Sequence, residues 1–133
     1  MRTLTAILIA LALAAAGCGG DDEGGGGGGG GPASPEQVVK RWMLEGECDL
    51  MTDKFLEAQL LGLGKGRQDR CELFEKQHTK PQYGEDDIQI TDVKVTGNRA
   101  SLVVGSENAP DIKSKYDLVK AGGQWRIDAA ELQ

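Results

Sequence analysis

The sequence is poor in the side chains that carry out reactions. Among its 133 residues are one histidine, three cysteines and six aromatic rings, two each of Trp, Tyr and Phe. A serine hydrolase would have to draw its base from His78, and no serine stands in a Gly-x-Ser-x-Gly elbow. No Cys-x-x-Cys pair offers a redox couple or half of a zinc site. Positive charge is also short: Lys and Arg number 15 against 21 Asp and Glu, a formal net charge of −6. An acidic chain is repelled as a whole by phosphate backbones and anionic headgroups, which excludes general nucleic-acid binding. The nearest approach to a basic patch (Lys65, Arg67, Arg70, Lys76, Lys80) is interrupted by Asp69, Glu72 and Glu75, and reads as a solvated helix face. Long apolar runs are missing too. The Leu- and Ala-rich run Leu4–Ala16 has 13 residues. As a helix it covers about 20 Å, short of the ~30 Å hydrocarbon core of a bilayer.

Glycine, by contrast, is plentiful and unevenly placed. Of 20 glycines, 11 lie between Gly17 and Gly31, whereas every aromatic residue lies beyond Ser34. Three segments follow from this. Residues 1–17 have the make-up of a signal peptide, with Arg2 as a positive n-region and Leu4–Ala16 as the h-region. Residues 18–34 contain Gly24–Gly31 behind Asp21-Asp22-Glu23. Such a stretch cannot bury apolar surface, so it is expected to be a disordered tether with a root-mean-square span of roughly 20–24 Å. Residues 35–133 remain for folding, enough for one modest core and a single domain, and too few for a separate cofactor module.

Ala15-Ala16-Gly17-Cys18, small residues immediately before a cysteine, resembles a bacterial lipobox. The resemblance implies cleavage ahead of Cys18 and acylation of Cys18 with diacylglycerol, a palmitate-type anchor. A doubly acylated chain is held stably, where one acyl chain binds only marginally. The mature lipoprotein would then sit on the extracytoplasmic face of a cell membrane. Ala15 stands where a lipobox usually carries Leu, and an ordinary secretory cut after Ala16 is the alternative. Gly19 gives no inner-membrane retention signal.

Within the domain, Ser34-Pro35-Glu36-Gln37 combines a capping serine, Pro at the first helical position and Gln three residues past the cap. Val38, Val39, Trp42 and Met43 follow at helical spacing, and Gly46 is the stop. A second helix is expected over about Asp49–Leu61, burying Leu50, Met51, Phe55, Leu56 and Leu60, with Gly62, Gly64 and Gly66 as breakers. A third, about Arg67–Gln77, carries Cys71, Leu73 and Phe74. Beyond Gly84 the period changes to alternation. Ile88 and Ile90 share one phase and Val93 and Val95 the other, which predicts a β-bulge near Thr91-Asp92. Gly97-Asn98 is a hairpin turn into Arg99–Ser106. Turns at Asn108–Pro110 and Gly122-Gly123 flank a strand over Lys113–Lys120, and Gln124–Asp128 forms the last strand, with Trp125 and Ile127 on one face. Helices first and an antiparallel meander second make an α+β domain.

The leading Pro-Glu-x-Val-Val-x-x-Trp helix, the Cys48-Asp-Leu-Met-Thr segment and the closing Leu-Val-Lys-x-Gly-Gly-x-Trp-x-Ile strand resemble the nuclear transport factor 2-like (SnoaL-like, cystatin-like) superfamily. More narrowly, they resemble small bacterial lipoproteins of that fold. The resemblance spans about Pro35–Asp128. It implies a curved antiparallel sheet wrapped on the helices as a cone whose mouth holds a ligand. In enzymes of the superfamily Asp, Tyr or His side chains stand inside the cone, which singles out Tyr83, Tyr116, Asp92 and Asp117. Alternation, however, turns Asp117 away from the face of Tyr116 and Leu118.

With Cys18 given to lipid, Cys48 and Cys71 remain as an even pair in an oxidising compartment, and a structural disulfide is expected between them. Metal or redox pairing is the rival, but no second thiol pair or nearby His completes a site. His78, in a polar segment, is expected to be an exposed surface residue. Gly62–Gly66 lacks the phosphate-loop spacing. Glu85-Asp86-Asp87 cannot all face one cation in an extended chain. No catalytic residue, metal site or cofactor is assigned. Trp42, Tyr83, Tyr116 and Trp125 are the candidate pocket-lining residues. The expected function is a lipid-anchored, non-enzymatic envelope domain that binds a small apolar ligand or an envelope protein. The alternatives are a pocket enzyme of the isomerase, dehydratase or cyclase type, and a docking module that forms a homodimer through its outer sheet face.

Overall fold

The computed structural model describes residues 32–133, so the expected signal peptide, the expected lipidation of Cys18 and the glycine run lie outside the described residues. The first described element shows how local chemistry starts a helix. The Ser34 hydroxyl accepts from the Gln37 amide, and the Gln37 side chain accepts from the Ser34 amide at 3.0 Å. This reciprocal capping box satisfies two amides that the helix itself cannot. Helix α1 (Pro35–Glu45) begins there and ends at Gly46, whose left-handed φ of +65° lets its N–H return to the Trp42 carbonyl at 2.9 Å. Ala33 packs against the core just ahead of the cap.

The single helix expected over Asp49–Leu61 is corrected. Cys48–Leu50 forms one 3₁₀ turn, Met51 is extended, and helix α2 covers only Asp53–Gln59. Thr52 causes the break. Its hydroxyl caps α2 by accepting from the Phe55 amide, while its own N–H donates to the Ile127 carbonyl at 2.9 Å. Met51 pairs in parallel with Ile127. A sheet contact and a cap thus outweigh a helical apolar pattern. Met51, Phe55, Leu56 and Leu60 are buried regardless.

Helix α3 (Gly66–Gln77) has no fully buried residue. Links supplement the partial packing of Cys71, Leu73 and Phe74 on the core. Cys71 meets Cys48 as a disulfide-compatible pair, their Cα atoms 5.5 Å apart. The Arg67 guanidinium donates to the carbonyls of Cys48 (3.2 Å) and Met51 (3.0 Å), and Arg70 pairs with Glu57 at 3.2 Å.

Strands β1 (Gln89–Thr96), β2 (Arg99–Ser106), β3 (Ala109–Ala121) and β4 (Gln124–Leu132) form one open antiparallel sheet in chain order. The pairing slips between Thr91 and Lys94, with Asp92 at φ +53°. This is the bulge that the phase change predicts, and it keeps Ile90 and Val95 opposite Val104 and Ala100. The turn expected at Asn108–Pro110 lies instead at Glu107-Asn108, and Pro110 sits at the start of β3, where a missing N–H is tolerated. The helices cover one sheet face. Val38, Val39, Met51, Leu56, Leu102, Leu118 and Ile127 fill the layer between, each at most 2% exposed. The architecture is α+β, with its interior packed by its own side chains.

A further pairing slip, between Asp117 and Leu118, leaves Asp128 unpaired on β4. Its carboxylate accepts from the Thr52 hydroxyl and the Lys54 ammonium, both at 2.9 Å, joining α2 to the sheet. The Lys54 hydrogen bond holds the carboxyl below the ordinary carboxylate range; burial opposes this, and Thr52 and Arg99 assist. A depressed value means the contribution is present above the unfolded carboxyl value, near 4, and lost as pH falls through the folded one. Because Lys54 is 71% exposed, Asp128→Asn is expected to cost only about 1 kcal/mol at pH 7. Urea unfolding at pH 7 and at pH 2 checks this: the difference between variant and native protein closes at the lower pH.

Candidate functional site

Four of the six aromatic residues and the single histidine meet at one cleft of about 320 Å³. Helix α1 contributes Trp42 and Met43, which follow Val38 and Val39 around the helix and emerge from the core at its edge. Phe74 stands one turn before the end of α3. The chain leaving α3 supplies His78 and Tyr83, and β3 supplies Tyr116. Trp42 is the junction: its ring lies 5.5 Å from Phe55 in the core and 5.8 Å from Tyr116, edge-on. Phe74 and His78 lie 5.8 Å apart, as residues four apart at a helix end can.

Gln59, His78, Thr79 and the two tyrosine hydroxyls give the cleft a polar share beside its ring faces. Trp42 Nε1 and His78 Nε2 are buried without a hydrogen-bond partner in the protein, which leaves a polar demand there. Burial pushes the Tyr116 hydroxyl above its ordinary value, and the neighbouring Tyr83 adds to the rise. Tyr116 therefore stays protonated at neutral pH and offers a donor. Among the described residues no carboxylate lines the cleft.

The structure brings together Trp42, Tyr83 and Tyr116 of the candidate pocket residues, but not Trp125. That ring is buried near the β3–β4 turn beneath Lys120, whose Nζ lies 5.6 Å from the ring centroid. Trp125 pairs with Lys120, while Tyr116 pairs with Ala130. Four strand residues, about 13 Å, separate the two rungs. His78 corrects the expectation of an exposed surface residue: it is half-buried in the cleft wall, its ring against Gly46. Its spacing of four from Phe74 was the sequence signal that could have placed it there. The acidic candidates lie elsewhere. Asp92 is exposed at the β1 bulge, and Asp117 pairs with Lys115 at 3.3 Å.

A larger hollow, about 480 Å³, opens on the uncovered face of the sheet between Lys54, Lys94, Arg99, Asp117 and Asp128. It is charged, and its carboxylates are already engaged by Lys54 and Lys115. Both hollows are open to solvent; the aromatic cleft is the stronger candidate because ring faces line it. Among the described residues no group of three or more His, Cys, Asp or Glu side chains stands close enough to hold a metal ion, and no helix is long and apolar enough to cross a membrane. No family model, no curated protein and no solved structure matches the chain.

Proposed function

We propose that the protein is a lipid-anchored extracytoplasmic domain, non-enzymatic, whose aromatic cleft binds a small, flat, largely apolar molecule. One observation carries the reading: in a chain so poor in rings, Trp42, Phe74, Tyr83, Tyr116 and His78 converge on a single opening of ligand size. Ligand sites are characteristically concave, mostly apolar and furnished with a few polar atoms. Tyr116 and Tyr83 supply donors, and ring faces supply stacking area. Asp92 and Asp117 stand apart from the two tyrosines, so neither carboxylate completes a base–donor pair at the cleft. The anchor rests on the lipobox-like Ala15–Cys18 and the glycine tether, and the cone-type fold on the resemblance to the nuclear transport factor 2-like superfamily.

Thermal melting against a panel of flat aromatic and terpenoid-like molecules tests the cleft. A ligand at ten times its Kd is expected to stabilise by about 1.4 kcal/mol. The shift is expected to disappear in Thr79→Trp, which places a ring in the opening from an exposed loop position. No shift across the panel, or a shift that survives Thr79→Trp, counts against the site. Intact mass of membrane-extracted protein tests the anchor independently.

A further inference from the structure

The turn leaving α2 breaks a backbone rule without any return from the fold. The Leu61 N–H reaches the Ala58 carbonyl (3.2 Å) and the Gly62 N–H the Glu57 carbonyl (2.9 Å), the double closure in which the first residue past the cap is left-handed and is usually glycine. Here that residue is leucine, at φ +53°. The only other non-glycine with positive φ among the described residues is Asp92, whose short polar side chain tolerates it. A branched apolar side chain in this conformation is strained, and such strain ordinarily persists where packing compensates. Nothing compensates here: Leu61 is 91% exposed and Leu63 60% exposed. An ordered, hydrogen-bonded turn therefore holds two leucines out into solvent. The surrounding charge differs from that of the rest of the chain. From Ala58 to Gln68 the sequence has no acid, and its only charges are Lys65 and Arg67.

We propose that the Leu61–Lys65 turn is a membrane-docking loop, seating its two leucines at the headgroup–acyl boundary of the bilayer with Lys65 at the headgroup level. The proposal rests on the lipid-anchored reading of Cys18. The chain from Cys18 to Pro32 can extend to about 45–50 Å, more than the ~33 Å breadth of a ~100-residue domain. Any face can therefore reach the bilayer; Ile112 and Leu132 are exposed too, but Asp111 and Glu131 adjoin them, whereas the Leu61–Lys65 turn has no acid beside its leucines. Two leucines bind lipid weakly on their own, but a short tether raises the effective concentration to the millimolar range. Gln59, two residues before Leu61, lines the aromatic cleft, so the same contact holds the cleft beside lipid.

The experiment uses the full chain extracted from membranes, with its intact mass recorded first, reconstituted into phosphatidylcholine vesicles with brominated acyl chains. In Leu63→Trp the added indole emission is expected to fall at least about twofold relative to unbrominated vesicles, while the emission of native Trp42 and Trp125 stays unchanged. Leu61→Gly is expected to raise the Tm in solution by roughly 2–6 °C, since glycine relieves the strain. Added to the reporter, it is expected to weaken the quenching. If the mass shows no acyl group, the anchored reading fails; Cys18 is then coupled to a maleimide phospholipid and the same quenching measurement decides the loop. An unquenched indole on a tethered protein overturns the proposal. So does loss of cross-linking to an envelope protein in Leu61→Gly/Leu63→Ser without quenching in Leu63→Trp, because a protein then covers the leucines.

Discussion

Removing the Cys48–Cys71 link, by reduction or by Cys48→Ser/Cys71→Ser, is expected to lower stability by about 3 kcal/mol and to abolish binding at the cleft. The two residues are 23 apart in sequence, so the closed loop is long enough for a substantial entropic contribution. The structural reason for the second effect is that α3 buries no residue completely. Arg67 and Arg70 hold it through partly exposed contacts, which contribute modestly. Without the sulfur bridge, α3 becomes a low-stability unit that opens before the rest. Phe74 and His78, which form one wall of the cleft, leave with it. Melting with and without reductant is expected to show a fall of roughly 15–20 °C, and ligand shifts are expected only in the oxidised sample. Identical melts in both conditions would mean that the pair does not bridge.

Gly46→Ala is expected to cost about 2–3 kcal/mol and to weaken ligand binding about tenfold. Gly46 sits at φ +65°, and a Cβ there would lie 2.4 Å from the His78 ring. The left-handed backbone alone costs about 1–2 kcal/mol in a non-glycine residue, and the overlap forces the imidazole out of the cleft wall. Gly62→Ala is the matched control: φ is +80°, but nothing lies within 4 Å of the added carbon. It is expected to cost about 1–2 kcal/mol, the backbone share alone, and to leave the cleft unchanged. Urea unfolding of the two variants separates backbone strain from contact with His78.

The parts of the fold that could be read in the sequence are those set by neighbouring residues. Ser34 and Gln37 cap each other three residues apart, Gly97-Asn98 and Gly122-Gly123 turn hairpins, and the shift in apolar phase between Ile90 and Val93 marks the bulge at Asp92. What could not be read is set by partners remote in the chain. Thr52 looks helical until the Ile127 carbonyl, from the far end of the domain, takes its N–H. Trp125 shares the face of Ile127 as alternation requires, but only the pairing with Lys120 shows how far along the sheet it lies from Tyr116. A spacing of four sets His78 beside Phe74, but its ring enters the cleft wall only because Gly46, remote in the chain, leaves room for it.

The cleft is tested most directly by the methionine methyl groups. Met43 lines the opening, whereas Met51 is fully buried in the core, so ¹³C-methyl spectra of one sample contain both a reporter and its control. Titration with a ligand from the melting panel is expected to move the Met43 resonance saturably and leave that of Met51 in place. A Met43 resonance that does not move while the melting temperature rises would place binding elsewhere and contradict the account.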